Sequence, residues 1–296
     1  MNFISHAKLF DQPDPRRLDL RASISSVGND WLVRVNQQRV AITVSVIVDV
    51  SSGMHFQGVY KKIDVVASFL EALGYSASAT GDSIGLYGFD QVPRPELTVP
   101  ARFGRAVGHN LAQVVLSCRP AAGNKQVHAS VKASVSPAPG NSFNDGLDNS
   151  LDNNLDNNLD DGTDSRVENI GQCIGLAASH SSLVFLVSDY HWPLAGLHSV
   201  LDPLADALLV PVVVWDPLEI EPPQGNRLLS AQQLGSRRTR HLWLTPRLRK
   251  QWLENVAHRE REITGVFARR DIKPFFVKDS FSSAAMSEYF MGWGMQ

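Results

Sequence analysis

Three apolar runs constrain this chain more than any other feature: "AITVSVIVDV" at residues 41–50, "SLVFLVSD" at 182–189 and "LLVPVVVWDP" at 208–217. Each is nearly continuous in Val, Ile and Leu, and each delivers an aspartate at or near its end: Asp49, Asp189 and Asp216. A strand apolar at successive positions has no wet face, which is the pattern of strands in the middle of a parallel sheet covered by helices. The segments between them carry helical spacing. Beyond residue 60, Ile63, Val66, Ala67, Leu70 and Leu73 recur on one face, with Gly74 as the expected stop. Residues 102–118 and 166–179 repeat that pattern, the second with Ile170, Cys173, Ile174 and Ala177 in one stripe. Strands alternating with helices predict an α/β fold, a doubly wound and mainly parallel sheet with helices on both faces, joined by right-handed crossovers.

At 296 residues and 43% hydrophobic content the chain can bury a substantial core, and a single α/β domain with additions is the expected organisation. The expected boundaries are an N-terminal extension over 1–30, the α/β domain over 31–220 with a low-complexity insertion at about 119–162, and a C-terminal helix and strand addition over 221–296. In the first half of "WLVRVNQQRVAITVSVIVDV", apolar and polar residues alternate, as in a half-exposed edge strand. "GDSIGLYGFD" at 81–90 reads as a turn and a second short strand, and Asp82 as the turn residue. From Arg119 the chain turns to Ala, Ser, Pro and Gly, which reads as a linker. "LDNSLDNNLDNNLDDG" at 147–162 then repeats a four-residue unit with little to bury. Its aspartates lack the glycine and closing glutamate of a calcium loop. In the last quarter, "TPRLRKQWLENVAHREREITGVFARR" carries a cap, an N1 proline and helical spacing, with Leu248, Trp252, Val256 and Ile263 on its inner side. "KPFFVKD" is expected to be a short strand, followed by a final helix.

Twenty-eight Lys and Arg against thirty Asp and Glu give a formal net charge of -2, so no global field draws the chain to nucleic acid or an anionic membrane. Residues 237–273 hold eleven basic and four acidic side chains, but these are interleaved with no aromatic platform, and a solvated or protein-docking helix face is the expectation. Only Cys118 and Cys173 are present, too few for a disulfide framework or a cysteine zinc site. No secretory leader is read at the start, and no apolar stretch approaches the roughly 20 residues that cross a bilayer. A cytoplasmic location is therefore expected.

In open α/β sheets, ligands bind at the carboxyl ends of the strands. Asp49 stands there with Ser51, Ser52 and Gly53 behind it, and Asp189 follows Ser188. Carboxylates and hydroxyls are the ligands that hard divalent cations take, although a strand-end aspartate is also a common turn former and helix cap. His191 reads as a packing residue and Asp216 as a turn residue. No nucleophile elbow, P-loop or dinucleotide fingerprint occurs, and the chain is not expected to be an enzyme.

"DVSSGM" resembles the D-x-S-x-S-M form of the metal-ion-dependent adhesion site of von Willebrand factor A domains. Together with "PRRLDLRAS", "WLVRVNQQR", "GDSIGLYGFD", "LVFLVSD" and "VPVVVWDPLEIEPPQG", taken in order, it resembles the bacterial A-domain proteins encoded beside MoxR-type AAA+ ATPases, including the methanol dehydrogenase accessory type. The resemblance implies a von Willebrand A fold and a protein-interaction adaptor that works with a MoxR-type AAA+ ATPase in maturation, assembly or metal loading of a client complex, through a degenerate form of that adhesion site. It also implies a divalent cation, Mg2+, at Asp49, Ser51, Thr163 and Asp189. Gly53 stands where the pattern has its second serine, so one ligand is missing. The competing reading is a magnesium-dependent hydrolase or phosphotransferase built on the strand-end aspartates, but Ser51 lies where a D-x-D phosphatase needs its second acid.

Overall fold

The computed structural model describes residues 2–11, 13, 15–26, 28, 30–37, 41–91, 93–119, 129–132, 165–178, 182–225, 227–233 and 239–293. Two units emerge, Met1–Ala41 and Ile42–Gln296. In the first, β1 (Asn2–Lys8) and β2 (Leu32–Gln37) pair antiparallel in a two-stranded sheet of their own. The alternation seen from Trp31 therefore belongs to a small separate sheet, not to an edge of the main one. The short helix α1 (Leu20–Ile24) is capped by Asp19, which accepts from the Ala22 N–H and, at 2.7 Å, from Arg34 Nε. The Arg34 bond first, and the cap bond with it, hold the Asp19 carboxyl well below the ordinary range.

The second unit is built on β3 (Thr43–Asp49), β4 (Ser83–Phe89), β5 (Pro93–Arg102), β7 (Leu183–Ser188), β8 (Leu208–Val214) and β11 (Phe275–Val277). They form one sheet in the order β11-β8-β7-β3-β4-β5, parallel throughout except for β5, which runs antiparallel to β4. Successive residues face opposite sides, so both faces must be covered. Val44, Val46 and Val48 pack with α2 (Lys62–Thr80), α3 (Val107–Ser117) and α8 (Ser283–Trp293) through Leu70, Leu111 and Met286. On the other face, Ile47, Val184 and Leu186 pack with α4 (Ser165–Ala178), α5 (Leu197–Val200) and α7 (Pro246–Ala268) through Ile170, Leu197 and Phe267. The doubly wound α/β architecture expected from the apolar runs is the one observed. Among the described residues, no helix is long and apolar enough to cross a membrane.

Two local expectations, for Gly74 and for the linker, are corrected, and one strand lies where no element was read. Gly74 does not end its helix: α2 runs on to Gly81, whose φ of 84° makes the left-handed stop. Gly74 instead lets α3 approach, since a Cβ there would lie 2.3 Å from the Gly108 Cα. Residues 93–102, rich in proline, form β5; a strand at the sheet's edge tolerates residues with no N–H to donate. Within the stretch read as a linker, β6 (Ala129–Lys132) pairs with β9 (Arg227–Gln233), which pairs in turn with β10 (Thr239–Leu244). The Leu-Asp-Asn-Asn repeat lies outside the described residues.

The C-terminal helix α7 has the predicted N-cap, with Thr245 accepting from the Leu248 N–H and Pro246 in the first turn. Its inner face is deepest at Ile263 and Phe267, while Leu248 and Trp252 pack around Leu244.

Candidate functional site

The order in which strands are added reverses between the parallel neighbours β3 and β7: from β3 the chain crosses through α2 to β4 on one side, whereas β7, β8 and β11 lie on the other. The crevice at such a switch point is where open α/β sheets bind ligands. Asp49 closes β3 and Asp189 directly follows β7, so the structure brings these two carboxylates to neighbouring strand ends. Both are buried, as is Ser51.

Asp49 is surrounded by neutral donors. Its Oδ1 accepts the Ser51 N–H at 2.8 Å and its Oδ2 accepts the Ser188 hydroxyl at 2.6 Å. Ser188 Oγ itself accepts from the Tyr190 N–H at 2.9 Å and from Trp192 Nε1 at 3.0 Å. A hydroxyl has one proton and two lone pairs, so Ser188 is saturated and its proton must face Asp49. Burial, reinforced by repulsion from Asp189, raises the Asp49 carboxyl from 3.8 to about 6, against the pull of Arg166, Ser188 and Ser51. Tyr190, at φ 52°, sits in the left-handed region that side chains disfavour. It is held there by the Ser188 bond, by its own hydroxyl donating to the Leu186 carbonyl, and by Arg259 donating to its carbonyl.

Asp189 is surrounded differently. Its Oδ1 accepts the His191 N–H at 3.1 Å, and its Oδ2 accepts Lys62 Nζ at 3.1 Å. Lys62 is the first residue of α2 and only 1% exposed. Its ammonium donates also to Glu219 Oε1 at 2.7 Å and lies 5.6 Å from the centre of the Phe56 ring. Burial opposes the lysine's charge, but Asp189 and Glu219 outweigh it and hold its pKa above the ordinary value. Glu219, mainly through burial, is raised from its ordinary range despite the neighbouring ammonium.

Glu219 ties this ion pair to the backbone. Its Oε2 accepts the Asp216 N–H, and Asp216 caps α6 (Pro217–Ile220) by accepting from the Leu218 N–H. Asp216 also accepts from the N–H groups of Val59 and Tyr60, at 3.1 and 2.8 Å, and so pins the loop that enters α2. That approach needs a glycine: a Cβ on Gly58 would lie 2.1 Å from Asp216 Oδ1. His191 stacks on Trp215, rings 5.6 Å apart at 6°, with Nε2 3.7 Å from Glu219 Oε1. Asp82 serves the turn before β4, accepting from the Ile42 N–H and the Thr80 hydroxyl.

Of the residues implied as metal ligands, Asp49, Ser51 and Asp189 gather at the switch point. Gly53 is buried in a 3-10 turn over Ser52–His55, and Thr163 lies outside the described residues. The described residues do not fit a divalent ion. A hard cation takes about six oxygen ligands, whereas Gly53 has no side-chain oxygen, the Ser188 hydroxyl has no lone pair left, and an Asp189 oxygen holds an ammonium. Among the described residues, no group of three or more His, Cys, Asp or Glu is placed to hold a metal. Lys62, Glu219 and Arg166 escape the sequence reading, in which Ser188 figures only as the hydroxyl before Asp189. One signal for Lys62 was present: a lysine pair opens α2, and a helix N-terminus disfavours cations unless carboxylates lie ahead of it.

A family model described as "Protein of unknown function DUF58" matches residues 14–143, a stretch that includes Asp49, Ser51 and Lys62. No curated protein matches the chain. Among solved structures, the chain is similar to the conserved hypothetical protein BatB from Bacteroides thetaiotaomicron, at 14% identity and a TM-score of 0.43, over 86% of this chain and 98% of that one. It is also similar to an aerotolerance-related membrane protein from Bacteroides fragilis, at 12% identity and a TM-score of 0.42, with the same coverage.

Proposed function

We propose that the chain is a non-enzymatic interaction module, acting in the cytoplasm with a MoxR-type AAA+ ATPase in the maturation or assembly of a client protein complex. One observation carries the non-enzymatic part. At the switch point, both oxygens of Asp49, Asp189, Asp216 and Glu219 accept bonds from the chain's own donors. A nucleophile or general base must reach a substrate, whereas Asp49, Asp189 and Asp216 are buried and all four carboxylates are turned inward to hold loops, helix ends and the Lys62 ammonium. The hydrolase reading therefore has little to work with. The same network stiffens a loop that turns apolar side chains outward: Val59 is 56% and Tyr60 42% exposed, while their N–H groups are fixed by Asp216. A rigid aromatic on an anchored loop suits protein docking. The ATPase rests on the resemblance of the ordered motifs, and the cytoplasmic setting accords with two buried, unpaired thiols.

The test is affinity capture from the native cell with a nucleotide analogue that traps ATPases on their partners, followed by mass spectrometry. Recovery of an AAA+ ATPase by the native chain, and its loss with a Val59→Ser/Tyr60→Ser variant, is the expected result. Absence of any AAA+ protein under trapped conditions would refute the reading.

A further inference from the structure

We infer that the Lys62 ammonium is the resident cation of this switch point, so that the Asp189 carboxylate is met by a charge of the chain itself and not by a divalent ion. The pattern "DVSSGM" leads one to expect a metal between the ends of β3 and β7. The chain instead brings a lysine to the Asp189 carboxylate from the first position of α2, and closes the arrangement with Glu219 from α6.

Four observations carry the inference. The ammonium and both its carboxylates are built in: Lys62 and Asp189 are 1% and 2% exposed, and Glu219 is 21% exposed. The lysine stem is fixed at the start of a 19-residue helix whose entry loop is pinned by Asp216. The face of Phe56 completes the ammonium's surroundings, a contact that suits an organic cation and offers a hydrated magnesium ion no oxygen. On the other strand, Asp49 spends its oxygens on Ser51 and Ser188, and a second buried cation, Arg166 at 2% exposure, acts on it electrostatically. A divalent ion arriving here would meet two fixed positive charges, one of them already in hydrogen-bond contact with Asp189. The missing hydroxyl at Gly53 fits the same account, because a site whose cation is covalently part of the chain needs no serine there.

It follows that association through this edge requires no divalent ion. That consequence rests on the interaction reading above; the charge assignment does not.

The assignment is tested on the native full chain by amine acetylation read by mass spectrometry, with and without millimolar Mg2+ or Mn2+. Lys62 is expected to react about 100-fold more slowly than its exposed neighbour Lys61 in both conditions, because reaction requires local opening. Calorimetric titration with either ion is expected to give no saturable heat, and EDTA to leave the melting temperature unchanged. A Lys62→Met variant that folds and melts higher in Mg2+ than in EDTA supports the assignment, since it exposes the carboxylate pair to an external cation. Metal-induced acetylation of Lys62 in the native protein overturns it, as does one-to-one divalent binding that is lost in Asp189→Asn. The capture experiment separates the two readings. The capture is run in constant Mg2+, which the trapped nucleotide itself needs: absence of the ATPase there counts against the function and leaves the resident cation to the acetylation and calorimetry, whereas divalent binding that is lost in Asp189→Asn overturns the resident cation and leaves the function to the capture.

Discussion

Asp49 and Asp189 stand at the ends of adjacent parallel strands, both buried, and the protein meets the same desolvation problem in two ways. Around Asp49 the nearest donors are neutral, a backbone N–H and the saturated Ser188 hydroxyl, and the carboxyl is pushed up to about 6. Around Asp189 a full positive charge is supplied at 3.1 Å and shared with Glu219. Neutral donors satisfy lone pairs but leave much of the buried charge unbalanced. An ammonium balances the charge, yet makes each partner dependent on the other. The two aspartates should therefore respond differently when their partners are removed.

The largest expected effect follows from that dependence. Lys62→Met keeps the stem and deletes the charge, leaving a buried Asp189 and a partly buried Glu219 repelling each other. Removing one partner of a buried ion pair destabilises by about 3–5 kcal/mol, and urea denaturation at neutral pH should show a loss of that size. Adding Asp189→Asn to the variant should recover part of it, because the stranded charge is gone. A loss below about 1 kcal/mol would place the pair with exposed salt bridges and erase the contrast.

Ser188→Ala tests the neutral side. It removes three bonds at once: the donor to Asp49 Oδ2, and the acceptor for the Tyr190 N–H and Trp192 Nε1. Unsatisfied buried groups cost about 1–3 kcal/mol each, but a methyl-sized side chain leaves some room to relax, and a loss of about 2–3 kcal/mol is expected. No full charge is stranded, so the effect should stay below that of Lys62→Met. The same variant should free Tyr190 from its left-handed backbone, read as faster amide exchange at residues 190–192.

How much of this was legible follows the range of the interactions. The buried strands and their terminal aspartates could be read because burial on both faces writes itself into consecutive residues, as in "VSVIVD". Helix α7 could be read because its cap and N1 proline are local. Gly74 was misread as a stop because its reason, the backbone of α3 at Gly108, lies across a helix crossing and not in its neighbours. Strand β5 was hidden by prolines that only an edge position permits. Lys62 shows the limit most clearly, for its partners are 127 and 157 residues away in sequence. From "YKKID" alone the lysine is a slightly misplaced helix residue, and only the closing of the sheet turns it into the cation of the site.

The smallest effect expected, and the one that measures the contrast most directly, is in the pH dependence of stability. The Asp49 carboxyl is raised from 3.8 to about 6. Below about pH 4 it is protonated both folded and unfolded and contributes no slope. Between about pH 4 and 6 the unfolded chain ionises while the native carboxyl holds its proton, so native stability falls as pH rises, and above that range the contribution is constant. Asp49→Asn cannot titrate. It shifts stability by a pH-independent amount, set by how the amide meets Ser51 and Ser188, and removes the slope. Glu219 and the carboxylates remote from Asp49 are common to both chains, so the informative quantity is the difference between them, which reports Asp49 together with its coupling to Asp189. Wild-type stability minus that of Asp49→Asn should fall by on the order of 2 kcal/mol between pH 4 and pH 7, from denaturation curves at each pH. A flat difference would mean that Ser188, Ser51 and Arg166 fully offset burial. A difference that grows with pH would mean they over-compensate, and neutral donors with a more distant guanidinium would then balance a buried carboxylate as well as the ammonium does at Asp189.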